Sequence, residues 1–337
     1  MQTLVRSASL TRYFSLAPAL GIDPVSIVSR AGVDQACLHV PDLRIPERCL
    51  ADVLEASAKT SNCQALGLQV AETWRLSDFG PLSLLLKHQP TLRQVLVEIE
   101  DYRHLLSDSV IVQEEDFNEI AVVRAGLVTG RPDAGRQAVE LTVGVLFSLM
   151  RAILGQGWKP RSVHLSHSAP ENMRIHRRVF GTDVEFDCEF DGIVISQQDL
   201  DRVNPLADAT LARYARGFLD LQPRTGQDAV GANVRRTIHR LLPKGIFAIE
   251  QVGQSLGMSP RTMQRRLMEA GENFSSLVNE VRCELAQRYL GNQRHSVSQV
   301  AMLLGFSETS AFSRWFSAQF GRSPTRWRND AFDCADP

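Results

Sequence analysis

The sequence predicts two domains of different class: an α+β N-terminal domain over residues 1–205, and an all-α C-terminal domain over 229–330 with two helix-turn-helix subdomains joined by a long helix. Three observations carry this. At 337 residues with 44% apolar side chains, the chain can build two cores. Its apolar pattern mixes alternating and helical periods in the first two thirds and is helical in the last. Within that last third a helical unit occurs twice.

Along the first domain, helices are expected over 4–20, 46–60, 91–106 and 133–154, the third with Leu92, Val95, Leu96 and Ile99 on one face. Strands are expected over 110–114, 119–125, 162–167 and 184–195. In the last strand Val184, Phe186, Cys188 and Phe190 alternate with Glu185, Asp187, Glu189 and Asp191, which predicts an apolar face and a carboxylate face. A carboxylate face can hold a cation or an amine; a solvated face that resists edge pairing is its commoner meaning. His164 and His167 would point to opposite sides of their strand, so both are read as structural or surface residues and no metal site is expected. Cys37, Cys49, Cys63, Cys188, Cys283 and Cys334 form no CxxC pair and are read as reduced structural thiols.

The run LQPRTGQD has the Pro, Gly and polar character of a connection, and residues 206–228 are read as a linker. Charge changes sign across it. Residues 1–225 hold 23 Lys and Arg against 28 Asp and Glu, whereas 226–330 hold 14 against 8, with 13 of those 14 cations arginine. The chain's net charge of −1 conceals this asymmetry. Guanidinium groups suit phosphate and the guanine edge, so nucleic acid is the first partner to consider; a solvated arginine face is the plainer reading of the charge alone.

The repeat adds geometry to the charge. Residues 249–267 and 297–316 align at a spacing of 48 through Ile249/Val297, Val252/Val300, Gly253/Ala301, Leu256/Leu304, Gly257/Gly305 and Met258/Phe306. One extra residue then enters the second copy, and Met263/Phe312, Arg265/Arg314 and Leu267/Phe316 follow at 49. Each copy reads as a helix with one apolar face, a small residue for close crossing, a glycine that ends the helix left-handed, and a second helix packed back on the first. Ser259 with Pro260, and Ser307 with Glu308, are expected to start the second helices. Their outward faces carry Arg261, Thr262, Gln264 and Arg265 in one copy and Thr309, Ser310, Ser313 and Arg314 in the other. Arginine for guanine, glutamine for adenine and short hydroxyls for phosphate or base are the groups a recognition helix needs in a major groove. Between the copies, residues 275–293 read as one helix with Leu277, Val281 and Leu285 in a stripe. It would be roughly 28 Å long, a strut comparable with the ~34 Å between successive major-groove faces.

Over residues 229–330 the chain resembles the AraC/XylS family of transcription regulators. The resemblance rests on Val300, Ala301, Leu304, Gly305, Phe306, Phe312 and Phe316, followed by FGRSPTRWR with Phe320, Gly321, Pro324 and Arg328. It implies two helix-turn-helix subdomains on one long helix, contacting adjacent major grooves of double-stranded promoter DNA. By position, Arg261, Gln264 and Arg265 resemble the readers of the first recognition helix, and Thr309, Ser310 and Arg314 those of the second. Gly253 departs from the usual alanine, and Trp327 stands where tyrosine is common. The first domain is similar to the arabinose-binding-like domain of one branch of the family, found in regulators of ornithine or arginine use and of quorum-sensing and virulence genes. The residues concerned are GIDP with Ala31, Gly32 and Val33, LRIPE, FGPLSLLLKHQPTLRQVL, and WKPRSVHLSHSAPEN through Phe180 and Gly181. This similarity implies an effector-sensing, dimer-forming domain and leaves the effector and its cofactor-binding residues unknown.

No GxSxG, GxGxxG, GK[ST] phosphate loop or HExxH motif occurs, so no enzyme, catalytic residue, cofactor or metal is expected. Repair methyltransferases share the DNA-binding module, but no Pro-Cys-His-Arg setting is present. An architectural DNA-binding protein would use a diffuse lysine surplus instead of Arg, Gln, Thr and Ser aligned on two helices. The longest apolar stretch, 141–150, is about half the ~20 residues of a membrane span, and no secretory signal is seen at the start. The reading is a cytoplasmic, bacterial, effector-responsive activator that contacts RNA polymerase, with a homodimer as its expected state.

Overall fold

The computed structural model describes residues 3–127, 135–221, 230–291 and 295–333. The chain divides into two compact units, 1–129 with 134–223, and 224–337 with 130–133. The first is α+β and the second all-helical, as the sequence predicts. Residues 133–134 of the fourth expected helix, 222–228 of the linker, 292–293 of the strut, and Cys334 lie outside the described residues.

The first unit opens with a short antiparallel pair, β1 (Leu4–Arg6) and β2 (Arg44–Pro46). Between them lie α1 (Thr11–Leu16) and α2 (Pro24–Arg30), and α3 (Glu47–Ser61) and α4 (Leu66–Glu72) follow. The helix expected over 4–20 is therefore broken. The amides of Ser7 and Ala8 bond to the carbonyls of Leu43 and Pro41, so distant partners take the place of the i−4 carbonyls, and a new 3-10 turn starts at Ala17–Leu20. Next come α5 (Leu82–Lys87) and α6 (Leu92–Asp101).

The five-stranded sheet has the order β3-β4-β7-β5-β6, built from β3 (Val110–Phe117), β4 (Ile120–Leu127), β5 (Ser162–His164), β6 (Val184–Glu185) and β7 (Gly192–Ser196). Asn118, at φ 50°, closes the two-residue β3–β4 hairpin. Across the sheet and the N-terminal helices runs α7 (Arg136–Leu154). It is long and apolar enough to cross a membrane, but its apolar sides are buried in the two cores of this unit. Gly144 lets it touch α4, where an added Cβ would stand 2.5 Å from the Ala71 Cβ.

The strand expected over 184–195 does not form as one element. Pairing stops after Glu185, Asp187 adopts φ 54°, and the chain turns before β7 begins at Gly192. The expected four-carboxylate face loses its last member: Asp191 is buried and accepts from the amide and hydroxyl of Ser166, while Glu185, Asp187 and Glu189 stay exposed. β5 likewise ends at His164, so His167 lies off the strand.

After α8 (Arg174–Phe180) and α9 (Gln197–Leu200), residues 209–220 form a helix, α10 (Ala209–Asp220), where the sequence suggests linker. Asp208 caps it, Ala215 and Leu219 are buried, and the Tyr102 hydroxyl donates to Asp220 at 2.7 Å. The Pro and Gly that signal a connection lie beyond this helix, so its packing was hidden behind them.

The second unit holds α11 (Val230–Leu241), α12 (Ile249–Ser255), α13 (Pro260–Glu269), α14 (Phe274–Leu290), α15 (Val297–Leu303), α16 (Thr309–Phe320) and α17 (Pro324–Asp333). One core joins them, with Leu277, Val281 and Leu285 of α14 at its centre between Met263 and Leu267 of α13 and Phe312 and Phe316 of α16.

Candidate nucleic-acid interface

The first helix pair is α12–α13. Gly257 takes φ 62°, its amide bonds to the Gln254 carbonyl, and the Met258 amide bonds to the Gly253 carbonyl at 2.8 Å. This is a Schellman closure, which satisfies two carbonyls that the helix end leaves open. A Cβ on Gly253 would stand 2.7 Å from the Met258 carbonyl oxygen, so the departure from alanine tightens this turn. Ser259 then accepts from the Thr262 amide, Pro260 sits at the first helical position, and α13 begins.

The second pair, α15–α16, repeats the closure. Gly305 has φ 74°, its amide bonds to Met302, and the Phe306 amide bonds to the Ala301 carbonyl at 3.0 Å. Ser296 and Gln299 form a capping box ahead of α15. The extra residue of this copy is Ser307, in the turn. Glu308 takes the cap position with no side-chain bond, and Thr309 is the first helical residue, one position later than expected.

The two copies therefore present α13 and α16 as equivalent second helices. Arg261, Gln264 and Arg265 are exposed on α13, and Thr309, Ser310 and Arg314 are exposed on α16. Thr262 and Ser313 are half-buried, and the Thr262 hydroxyl is bound to Ser259 Oγ at 2.8 Å. Arg265 lies 3.6 Å from Glu269 with both side chains in solvent, a pairing worth little to stability. Arg266 on α13 and Arg326 on α17 are exposed as well, outside the set expected from the sequence.

Other arginines of the basic surplus serve the scaffold. Arg282 on α14 lies between the rings of Phe247 and Phe306, 4.7 Å from each, and donates to the Leu304 carbonyl at 3.1 Å. Burial lowers its pKa from the ordinary arginine range, and the two ring faces offset part of that desolvation. Arg328 donates to the Leu290 carbonyl, and Arg235 pairs with Glu280 and Glu284. Trp315 donates to Asn279 at 2.7 Å, and Asn279 donates to Gln319, which fixes α16 on α14. Trp327 packs edge-on against Phe316. No sequence signal marks the role of Arg282, because its aromatic partners are 35 and 24 residues away.

The family described as the arabinose-binding domain of AraC transcription regulators, N-terminal, matches residues 21–204, and a helix-turn-helix domain family matches 252–330. The chain belongs to the AraC family of transcription regulators. Among AraC-family relatives, the transcriptional regulator VirS of Mycobacterium tuberculosis is 28% identical over 97% of this chain and 96% of its own. The ornithine utilization regulator of Pseudomonas aeruginosa is 23% identical over 96% of each chain. The transcriptional activator NphR of a Rhodococcus species is 32% identical over 29% of each. The chain is thus a DNA-binding transcription regulator whose helix-turn-helix domain engages promoter DNA, in a family of regulators and not of enzymes.

Proposed function

We propose that α13 and α16 enter adjacent major grooves of a promoter. Arg261, Gln264, Arg265, Thr309, Ser310 and Arg314 reach base edges or phosphates, and the half-buried Thr262 and Ser313 complete the two DNA-facing sets. The observation that carries this reading is the duplicated Schellman-closed turn, which leads to a second helix packed on a shared core in both copies, after one extra residue in the second. α14, at 17 residues and about 25 Å, is the strut between them. Footprinting on the upstream DNA of its own gene is expected to show two protected blocks separated by about 10 base pairs on one face. A single block would contradict the two-groove reading.

The first unit is proposed as the effector sensor. A cavity of about 130 Å³ lies between β1, α6, the β3–β4 hairpin and α7, with Leu50, Phe79, Ile99, Val112, Leu141 and Leu146 in its wall. Its polar members include Arg6, Glu47, Arg103 and the hydroxyl pair Ser107–Ser109, 2.8 Å apart. Trp74 also lines it, with its indole N–H buried and without an acceptor among the described residues. This lining suits a small, largely apolar molecule with one or two polar groups. Ligand binding there is proposed to change how residues 229–330 engage the promoter, as an activator that contacts RNA polymerase; NphR's description as an activator supports that direction. A homodimer is proposed through the first unit, where Leu211, Tyr214, Phe218 and Leu221 of the α10 segment are exposed.

A further inference from the structure

The turn of the chain between β6 and β7 creates a second constellation, in the first unit and away from α13 and α16 in sequence. Glu185 is the parallel-strand partner of His164 at the β5–β6 edge, and the left-handed residue Asp187 turns the chain so that Cys188 comes back over the same histidine. The Cys188 amide bonds to the Leu165 carbonyl, which fixes this return. As a result Cys188 Sγ lies 3.5 Å from His164 Nδ1, Glu185 Oε2 lies 3.9 Å from the same nitrogen, and the three ligand atoms all fall within 4.8 Å of one another. The geometry points to a binding site for a thiolate-accepting divalent ion of the zinc type, held by His164, Glu185 and Cys188 with a fourth position for water.

Distances support this choice. In a tetrahedral zinc site with ligand bonds of ~2.0–2.3 Å, neighbouring ligand atoms stand ~3.3–3.6 Å apart. The sulfur–nitrogen pair already has that spacing, and only Glu185 needs to move. Its side chain is 59% exposed, so the adjustment displaces solvent and no packed neighbour.

The support around the histidine is of the kind metal sites use. Ser162 Oγ lies 2.9 Å from His164 Nε2, so an Nε2–H donated to Ser162 leaves the Nδ1 lone pair for the ion. Phe190 stacks on the imidazole at 4.9 Å and keeps the ring in place. Asp187 and Glu189 are exposed on the same turn and add negative potential. Arg124 opposes it from β4, but it pairs with Glu115 at 3.0 Å and lies over the Phe190 ring. On binding, the Cys188 thiol proton passes to water as the sulfur–metal bond forms, and no electron changes hands.

The plainer account of these contacts is a buried thiol resting against a histidine, and metal titration separates the two. Full-length protein is stripped with a chelator and titrated with Co²⁺ alone, following thiolate-to-cobalt charge-transfer absorption, and Zn²⁺ then competes. One cobalt per chain, displaced by zinc, is expected, with a melting temperature that rises as zinc is added. Cys188→Ser abolishes the absorption. Glu185→Gln, a surface change that leaves the fold alone, weakens apparent affinity by ~10-fold or more, and Ser162→Ala by about 10- to 100-fold. Absence of the charge-transfer band overturns the proposal, and so does a band that survives in Cys188→Ser or is lost in Cys283→Ser. If Cys188→Ser fails to fold, unchanged affinity in both Glu185→Gln and Ser162→Ala overturns it equally.

Discussion

Arginines of the second unit divide into those exposed on α13 and α16, proposed as readers, and those that brace the scaffold, and substitution separates them. Arg265 and Arg314 stand in solvent at matching positions of the two copies, so Arg265→Ala and Arg314→Ala should each weaken specific binding by about 1–3 kcal/mol per lost base contact while the melting temperature holds. Equal loss on random DNA would assign them to phosphates. Arg282→Met should do the reverse, lowering stability by about 1–3 kcal/mol in thermal melts through loss of two ring contacts and the Leu304 bond. In the first unit, burial is the main reason that the His167 pKa lies below the ordinary histidine value. The Ser168 carbonyl, Glu140 and Asp191 pull it up, and Arg136 pulls it down. Below pH ~6.5 the unfolded chain takes up this proton more readily than the folded one, so the stability His167 confers is present above that pH and is lost as pH falls toward the folded value. His167→Gln should flatten that part of the melting-temperature profile; an unchanged slope would contradict the assignment. The sequence marks the exposed side chains proposed as readers because their spacing is local. It could not name Arg282 or His167, whose environments come from segments far along the chain.

At the scale of elements, the turns decide whether the two helix pairs form. Gly305 combines φ 74° with the Phe247 ring only 2.6 Å from where a Cβ would stand, so Gly305→Ala is expected to cost about 1–3 kcal/mol and to weaken promoter binding through misplacement of α16. Thermal melts and binding on one variant check both parts. Gly144→Ala should destabilise the first unit by a similar ~1–3 kcal/mol, because α4 and α7 cannot separate without opening both cores. The helix pairs were legible because cap, apolar face and terminal glycine all lie within 20 residues of one another. The elements over 4–20 and 184–195 were not. In the first, carbonyls of Pro41 and Leu43 compete with helical bonds; in the second, an aspartate in the left-handed region interrupts an alternation that burial follows as far as Phe190. A period read from sequence reports which side chains are buried, and here it did not report where backbone pairing stopped.

The whole molecule joins an α+β unit that holds a cavity to a helical unit with one core and two exposed second helices. The second core, from Val234 to Phe316, lies within 229–330, so a fragment of those residues should fold and keep its sequence preference. The fragment should not respond to effectors. In the full-length chain, small molecules that raise the melting temperature should lose that effect in Leu146→Trp, which fills the cavity from α7, while DNA affinity without ligand stays unchanged. The central claim, that two equivalent helices read a promoter sequence, is tested most directly by binding of the full-length protein to its own upstream DNA, titrated in salt and against random competitor, beside the Arg265→Ala/Arg314→Ala double variant. The account predicts competitor-resistant binding in the natural chain and near-equal affinity for both DNAs in the variant. Natural-chain binding that random DNA competes away equally well, or no binding at low salt, would contradict it.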